Sequence, residues 1–138
     1  MRKIATLEVW QREESDWLQG IPEGSGYAPP RQSDDIHRIL VDPTSDVRDF
    51  KNLGVIAPVE KLVPSTFAHE LGHFVDYMTN GPLRQWAGIP MYIKPPSVTL
   101  SEERNAWQYA NEMIAVDSDT QNTAMKSYED ILLPKGGL

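Results

Sequence analysis

Three residues near the middle of the chain have the types and spacing of a metal site: His69, Glu70 and His73, in the pattern H-E-x-x-H. On a helix, side chains at i and i+4 point the same way, so the two imidazoles can share one metal ion. Glu70 can then reach a water molecule on that metal and accept its proton as general base. The competing interpretation is an ordinary histidine pair on an amphipathic helix. It is weakened because two of the three histidines in the chain stand here.

The residues around the motif have the periodicity of an amphipathic helix when each residue turns by about 100°. The side chains within about 80° of His69 are mostly polar by the same rule: Thr66, His73, Asp76, Tyr77 and Asn80. The opposite face is apolar: Phe67, Ala68, Leu71, Phe74, Val75 and Met78. Pro64-Ser65 is a plausible start, and Asn80-Gly81-Pro82 is a strong stop signal. The pattern predicts a helix over 65–80 with its apolar side on a core.

A catalytic zinc ion usually takes three protein ligands, and the chain has no cysteine, so the third must be His, Asp or Glu. A second helix is predicted over 100–117, and Glu103 lies on its mostly apolar face. A carboxylate in such a place is costly unless it is paired or bound to a metal. Ala106 and Ala110 share that face and would let the two helices approach closely. Glu103 is therefore favoured as the third ligand.

Two other acids remain open as ligands. Glu102 borders the same face, but Thr99-Leu100-Ser101-Glu102 has the form of a capping box, which would occupy its carboxylate. Asp76 lies one turn beyond His73 on the same face. It is favoured as an acid that orients a metal-bound imidazole, although direct ligation stays open.

Composition excludes several classes of function. A chain of 138 residues is long enough for one domain with its own core, and we expect a single domain over 1–138. The net charge of −7, with no cluster of Lys or Arg, argues against nucleic-acid binding. No stretch approaches the roughly 20 apolar residues of a membrane span, and no signal peptide is apparent. We expect no membrane association and a cytoplasmic location.

The remaining elements point to an α+β fold. Strands are predicted over 4–10 and 37–42, with shorter ones around 54–56 and 91–93. Helices are predicted over 11–19 and 120–132. Residues 20–30 are predicted as a loop because they are rich in glycine and proline, and residues 42–49 are predicted as a polar turn region with room for one helical turn.

These segments together resemble the gluzincin class of zinc metallopeptidases, and among them the small ImmA/IrrE-type metallopeptidases. The matching pieces are the strand-like 38–42, the helix segment 67–73 and the segment 103–114. In that family the last segment runs roughly E-x-x-A-x-x-[FY]-A-x-E-[LM]-[LI], and its first glutamate, here Glu103, is a zinc ligand. The residues that match are Glu103, Ala106, Tyr109, Ala110, Glu112, Met113 and Ile114. The first third of the chain and the proline-rich 82–96 have no counterpart in the resemblance.

The resemblance implies a zincin-like fold, in which a small mixed sheet packs on the H-E-x-x-H helix and a second helix supplies Glu103. It implies Zn²⁺ as cofactor, held by His69, His73 and Glu103, and a polypeptide as substrate. Glu70 would be the general base in peptide hydrolysis. The alternative is a zinc-binding regulatory or structural protein with the same fold but no turnover. Hydrolysis of a non-peptide ester or amide, and an interaction domain without metal, also stay open.

Peptide hydrolysis creates negative charge on the carbonyl oxygen, and a hydrogen-bond donor beside the metal would stabilise it. The sequence offers several candidates without ranking them. They are Tyr77 and Tyr109, with Tyr92 and His37 as further possibilities.

Overall fold

A computed structural model describes residues 1–3, 5–13, 23–31 and 33–133. The described chain is an α+β structure with three strands and five helices. The strands come first and the helices follow, so the sheet and the helical part are segregated along the sequence. This confirms the predicted α+β class and the small mixed sheet.

The sheet consists of β1 (Thr6–Gln11), β2 (Gly26–Ala28) and β3 (Ile36–Val41), with β3 in the middle. β1 runs parallel to β3, with Leu7 opposite His37, and β2 pairs antiparallel to β3. On β3, His37 and Ile39 are buried, which is the alternation expected of a strand with one covered face. β1 and β3 confirm the predicted strands. The three-residue β2 lies in the segment predicted as a loop.

The first helix, α1 (Pro43–Asn52), replaces the polar turn predicted over 42–49. Asp42 is its N-cap and accepts a hydrogen bond from the Ser45 amide, while Pro43 occupies the first helical turn. Proline fits there because the first amides of a helix have no intrahelical acceptor. Pro43 therefore begins a helix as well as ending β3.

The motif lies on the longest helix, α2 (Val59–Thr79), which begins six residues earlier than predicted. Pro64 lies inside this helix instead of at its start. Asn80 ends α2 and caps the short helix α3 (Gly81–Arg84), its side chain accepting from the Leu83 amide. The strong stop signal is thus confirmed, while the start is corrected.

Two further helices complete the structure, α4 (Pro96–Met113) and α5 (Ser118–Leu132). α4 packs along α2, and Ala68 of α2, Trp107 and Ala110 of α4, and Ala124 of α5 form a buried cluster. Phe50, Val116 and Met125 pack against this cluster. The cluster fixes α4 and α5 relative to the motif helix, and so fixes the side chains that they carry.

Two predicted strands are wrong, because the described chain has no strand around 54–56 or 91–93. The first of these segments is a turn and an extended stretch leading into α2, and the second is a run of turns between α3 and α4. Ile56, Tyr92 and Ile93 are largely exposed, so their apolar character does not reflect a buried strand. The helix predicted over 11–19 begins inside β1 and otherwise lies mostly outside the described residues.

Among the described residues, none of the helices combines the length and apolar character needed to cross a membrane.

Candidate metal centre

Two helices bring His69, His73 and Glu103 together. His69 and His73 stand one turn apart on α2, with ring centroids 4.6 Å apart. From α4, the Glu103 carboxylate places Oε2 2.7 Å from Nε2 of His69 and Oε1 3.2 Å from Nε2 of His73. The Glu103 carboxylate thus contacts the Nε2 atom of each imidazole.

Glu70 lies on the other side of the His69 ring. Its Oε1 is 3.1 Å from Nδ1 of His69, so each nitrogen of that imidazole faces a different carboxylate. His69, Glu70 and His73 offer ligand atoms that all lie within 4.8 Å of one another, and this group could hold a metal ion. Glu103 joins the group through its contacts with both Nε2 atoms.

His69 and Glu103 are buried in contact with each other, so the charge of each affects the pKa of the other. Burial alone would lower the pKa of His69, but the carboxylates of Glu103 and Glu70 raise it above its ordinary value. Burial alone would raise the pKa of Glu103, but hydrogen bonds with His69 and His73 hold it well below its usual range. Both shifts follow from a buried carboxylate facing imidazoles at contact distance. These shifts favour an ionised Glu103 and a protonated His69.

The Trp107 indole fixes the orientation of His69. The two rings are stacked, with centroids 4.3 Å apart and planes at 20°. Trp107 is fully buried in the core cluster, so it forms a rigid backing for the imidazole. No pattern in the sequence indicates this contact, because it joins two different helices.

Asp76 lies on the same side of α2 as His73, as predicted, but its hydrogen bonds are with asparagine side chains and not with the imidazole. Its Oδ1 accepts from the side-chain amides of Asn105 at 3.2 Å and Asn80 at 3.4 Å. Burial raises the pKa of Asp76, while the amides and the charge of nearby His73 act in the opposite direction. Asp76 thus links α2 to α4 through its hydrogen bond with Asn105, and its interaction with His73 is electrostatic.

A cavity of about 410 Å³ opens beside the imidazoles. His69, Glu70, His73 and Glu103 all line it, so a ligand in the cavity would contact the metal-site residues. Further walls come from β2, from α5 and from the segment between α2 and α4. The proline-rich segment that lacks a counterpart in the resemblance therefore shapes the cavity.

Glu102 has a different partner from the one that the capping box predicted. Helix α4 begins at Pro96, so Thr99 lies inside the helix and is not its N-cap. The Glu102 carboxylate accepts from Nζ of Lys94 at 2.7 Å, and both side chains are largely buried at the edge of the cavity. The capping argument is wrong. Glu102 is nevertheless occupied, and Glu103 is the acid that faces the histidines.

The predicted hydrogen-bond donors are distributed unevenly around the site. Tyr77 lines the cavity, with the Arg84 guanidinium 5.2 Å from its ring centroid. The Tyr109 hydroxyl lies 3.1 Å from the Thr79 hydroxyl, at an exposed position outside the cavity lining. His37 of β3 is buried, and its Nδ1 forms a hydrogen bond with the Tyr27 hydroxyl at 2.7 Å. Tyr92 is 86 % exposed and does not line the cavity either.

One cavity residue was missed by the sequence analysis. Tyr128 of α5 lines the cavity together with His69, Glu70 and Glu103. Burial and the nearby charges of Glu103 and Glu70 raise the pKa of its phenol, which keeps the hydroxyl protonated. No sequence signal marks Tyr128, because its position depends on how α5 folds back over α4.

No protein-family model, curated protein or solved structure matches this chain.

Proposed function

We propose that this protein is a zincin-like zinc metallopeptidase of the gluzincin type, in which His69, His73 and Glu103 hold Zn²⁺. The observation that carries the proposal is the position of the Glu103 carboxylate, 2.7 Å and 3.2 Å from the two Nε2 atoms of the motif histidines. This position supports the carboxylate, which comes from a second helix, as the third ligand. Glu70 lines the same cavity.

The donor set fits zinc. Two imidazole nitrogens and one carboxylate oxygen are a known ligand set of catalytic zinc, which leaves a further position for water or substrate. The His69 Nε2 and the Glu103 carboxylate are at hydrogen-bond distance, a contact that needs a proton between them. A metal ion would replace that proton, in the way that metal binding generally displaces protons from its ligands.

Nδ1 of His69 supports the same assignment. With its proton directed at Glu70 Oε1, the lone pair of Nε2 is available to a metal. The Trp107 ring holds the imidazole in that orientation. Glu103 is preferred to Glu70 as ligand because its carboxylate meets the Nε2 atoms of both histidines, whereas Glu70 contacts Nδ1 of His69.

When bound, zinc supplies a Lewis acid that acidifies water and polarises a carbonyl group. Glu70 is the general base: its buried carboxylate lines the cavity and accepts the proton of the attacking water. Glu70 then gives this proton to the leaving amine nitrogen as the C–N bond breaks. Its contact with His69 Nδ1 keeps the carboxylate at the metal site between these two transfers.

A polypeptide is the proposed substrate. The motif helix and the Glu103 segment resemble those of ImmA/IrrE-type metallopeptidases, which act on polypeptides. The cavity mixes aliphatic and aromatic walls with the polar site, since Tyr27, Leu83, Ile89 and Met91 line it beside the metal-site residues. Such a surface suits a peptide side chain next to the scissile bond.

A peptide-library digestion tests the proposal. A mixed-sequence peptide library would be incubated with three preparations: the zinc-loaded protein, the chelator-treated protein, and the treated protein with zinc restored. The products would be identified by mass spectrometry. We expect cleavage at defined sites with zinc, no cleavage after chelation, and recovery when zinc returns. A zinc-loaded protein that cleaves no member of the library would contradict a peptidase function.

A further inference from the structure

A buried hydroxyl on the cavity wall has no partner. Thr99 is 5 % exposed, and its Oγ1 forms no hydrogen bond with any described residue. Leaving a buried polar atom unsatisfied costs about 1–3 kcal/mol, so such an atom needs a reason. Thr99 lines the cavity, and it precedes Glu103 by one helical turn on α4. The unpaired atom is therefore on the same face of α4 as the proposed zinc ligand.

A second hydroxyl lies on the other side of Glu103. Tyr128 reaches the cavity from α5, and its phenol is close to the carboxylates of Glu103 and Glu70. Two other tyrosine hydroxyls form hydrogen bonds within the fold, Tyr27 with His37 and Tyr109 with Thr79. Tyr128 lines the cavity, and its hydroxyl interacts with the Glu103 carboxylate. A phenol hydroxyl can donate a hydrogen bond.

We propose that Thr99 and Tyr128 form a two-hydroxyl subsite beside Glu103 that binds the main chain of the substrate polypeptide. Tyr128 donates to the carbonyl oxygen of the scissile peptide, and Thr99 bonds a neighbouring main-chain group. The peptide backbone supplies both acceptors and donors at short intervals, which a pair of hydroxyls can satisfy in any sequence. This subsite rests on the proposed peptidase function and assigns to it two residues that the H-E-x-x-H pattern does not contain.

Three variants test the subsite. Each is measured for zinc content, for peptide turnover and for binding of N-phosphoryl-leucylalanine. The phosphoryl group of this probe resembles the tetrahedral intermediate of peptide hydrolysis. Tyr128→Phe and Thr99→Val remove the two hydroxyls with little change of shape. Ser127→Ala is the control, because it removes a neighbouring α5 hydroxyl that bonds the Ala124 carbonyl at 2.7 Å and does not line the cavity.

We expect all three variants to retain the zinc content of the wild type. Tyr128→Phe should lower kcat/KM and phosphoryl-dipeptide affinity by at least about tenfold, since it loses a donor to the developing oxyanion. Thr99→Val should lower both by about threefold to tenfold, as expected for one neutral hydrogen bond. Its thermal stability should not fall, because the hydroxyl has no partner in the fold.

Two outcomes would overturn the subsite. One is unchanged turnover and phosphoryl-dipeptide binding in both Tyr128→Phe and Thr99→Val. The other is loss of zinc in Tyr128→Phe, which would make Tyr128 a support for Glu103 and not a substrate contact. A wild type that binds zinc but cleaves no peptide would overturn the proposed function instead. In that case the phosphoryl-dipeptide affinities of the variants still decide whether the two hydroxyls bind a peptide-like ligand.

Discussion

Gly72 of α2 lies directly against the backbone of Ala106 in α4. A methyl group built on Gly72 would stand 2.0 Å from the carbonyl oxygen of Ala106 and 2.9 Å from its Cα. Gly72 is the residue between Leu71 and His73 in the motif, and Ala106 lies one turn after Glu103. The absence of a side chain at Gly72 therefore sets the distance between the helix that carries the histidines and the helix that carries the proposed third ligand.

Gly72→Ala should separate the two helices, because the clash is with backbone and no flexible side chain can yield. We expect the free energy of unfolding to fall by at least about 2 kcal/mol, which is a typical cost of inserting an extra methyl group into a close-packed core. Zinc affinity should fall as well, since Glu103 moves with α4. Urea unfolding and a competitive zinc titration measure the two effects.

Gly81→Ala is the matched control for that substitution. A methyl group at Gly81 meets no atom within 4 Å, and Gly81 opens the short helix α3. We expect stability and zinc affinity close to those of the wild type. Equal behaviour of the Gly72 and Gly81 variants would show that the close approach of α2 to α4 is not needed for the site.

Glu70→Gln should retain zinc and lose peptide cleavage. Glutamine keeps the shape of the side chain and can still contact Nδ1 of His69, but it cannot accept the proton of the attacking water. We expect kcat to fall by at least about a hundredfold, the lower end of the range of general-base contributions. Zinc content and kcat measured on the same preparation check this, and undiminished turnover at full zinc occupancy would rule out Glu70 as the base.

Asp46→Asn should reduce the dependence of stability on pH. Asp46 is buried in α1, where its Oδ2 accepts from Ser25 Oγ at 2.6 Å and from Thr66 Oγ1 at 3.1 Å. Burial raises its pKa above the ordinary value, and the charge of nearby Glu70 adds to this, while the two hydroxyls act in the opposite direction. The carboxyl therefore stabilises the folded protein most when it is protonated.

The sign follows from the raised folded-state pKa. Below the ordinary pKa of an aspartate, about 4, the contribution is fully present, and it is lost as the pH rises through the higher folded-state value. Asparagine does not titrate and keeps an acceptor for both hydroxyls. Urea unfolding of the metal-free proteins from about pH 4 to about pH 7 should show a smaller loss of stability in the variant than in the wild type. Parallel curves would exclude Asp46 as a source of the pH dependence.

The sequence predicted the parts of the site that depend on local periodicity. The helical face shared by His69 and His73 follows from a spacing of four residues, and Glu103 was favoured because an acid on an apolar face needs a partner. The three side chains lie on the predicted helices and meet at contact distance. The capping argument against Glu102 failed because Pro96 starts α4 one turn earlier than Thr99.

The features that the sequence did not predict depend on contacts between distant segments. β2 is too short for a periodic signal and gains its hydrogen bonds only by pairing with β3. Tyr128 faces the cavity because the buried cluster around Trp107 sets the position of α5. Pro64, which the sequence predicts at the start of a helix, is accommodated inside α2, because α2 already begins at Val59.

The zinc content of protein purified without a polyhistidine tag tests the central claim most directly. Wild type, His73→Ala, Glu103→Ala and the control Glu102→Ala would be supplied with zinc, dialysed and assayed by atomic absorption. We expect about one zinc ion per chain in the wild type and in Glu102→Ala, as for a three-ligand site. We expect little zinc in His73→Ala and Glu103→Ala. A wild type without zinc, or a Glu102→Ala variant that loses zinc while Glu103→Ala keeps it, would contradict the proposed metal centre.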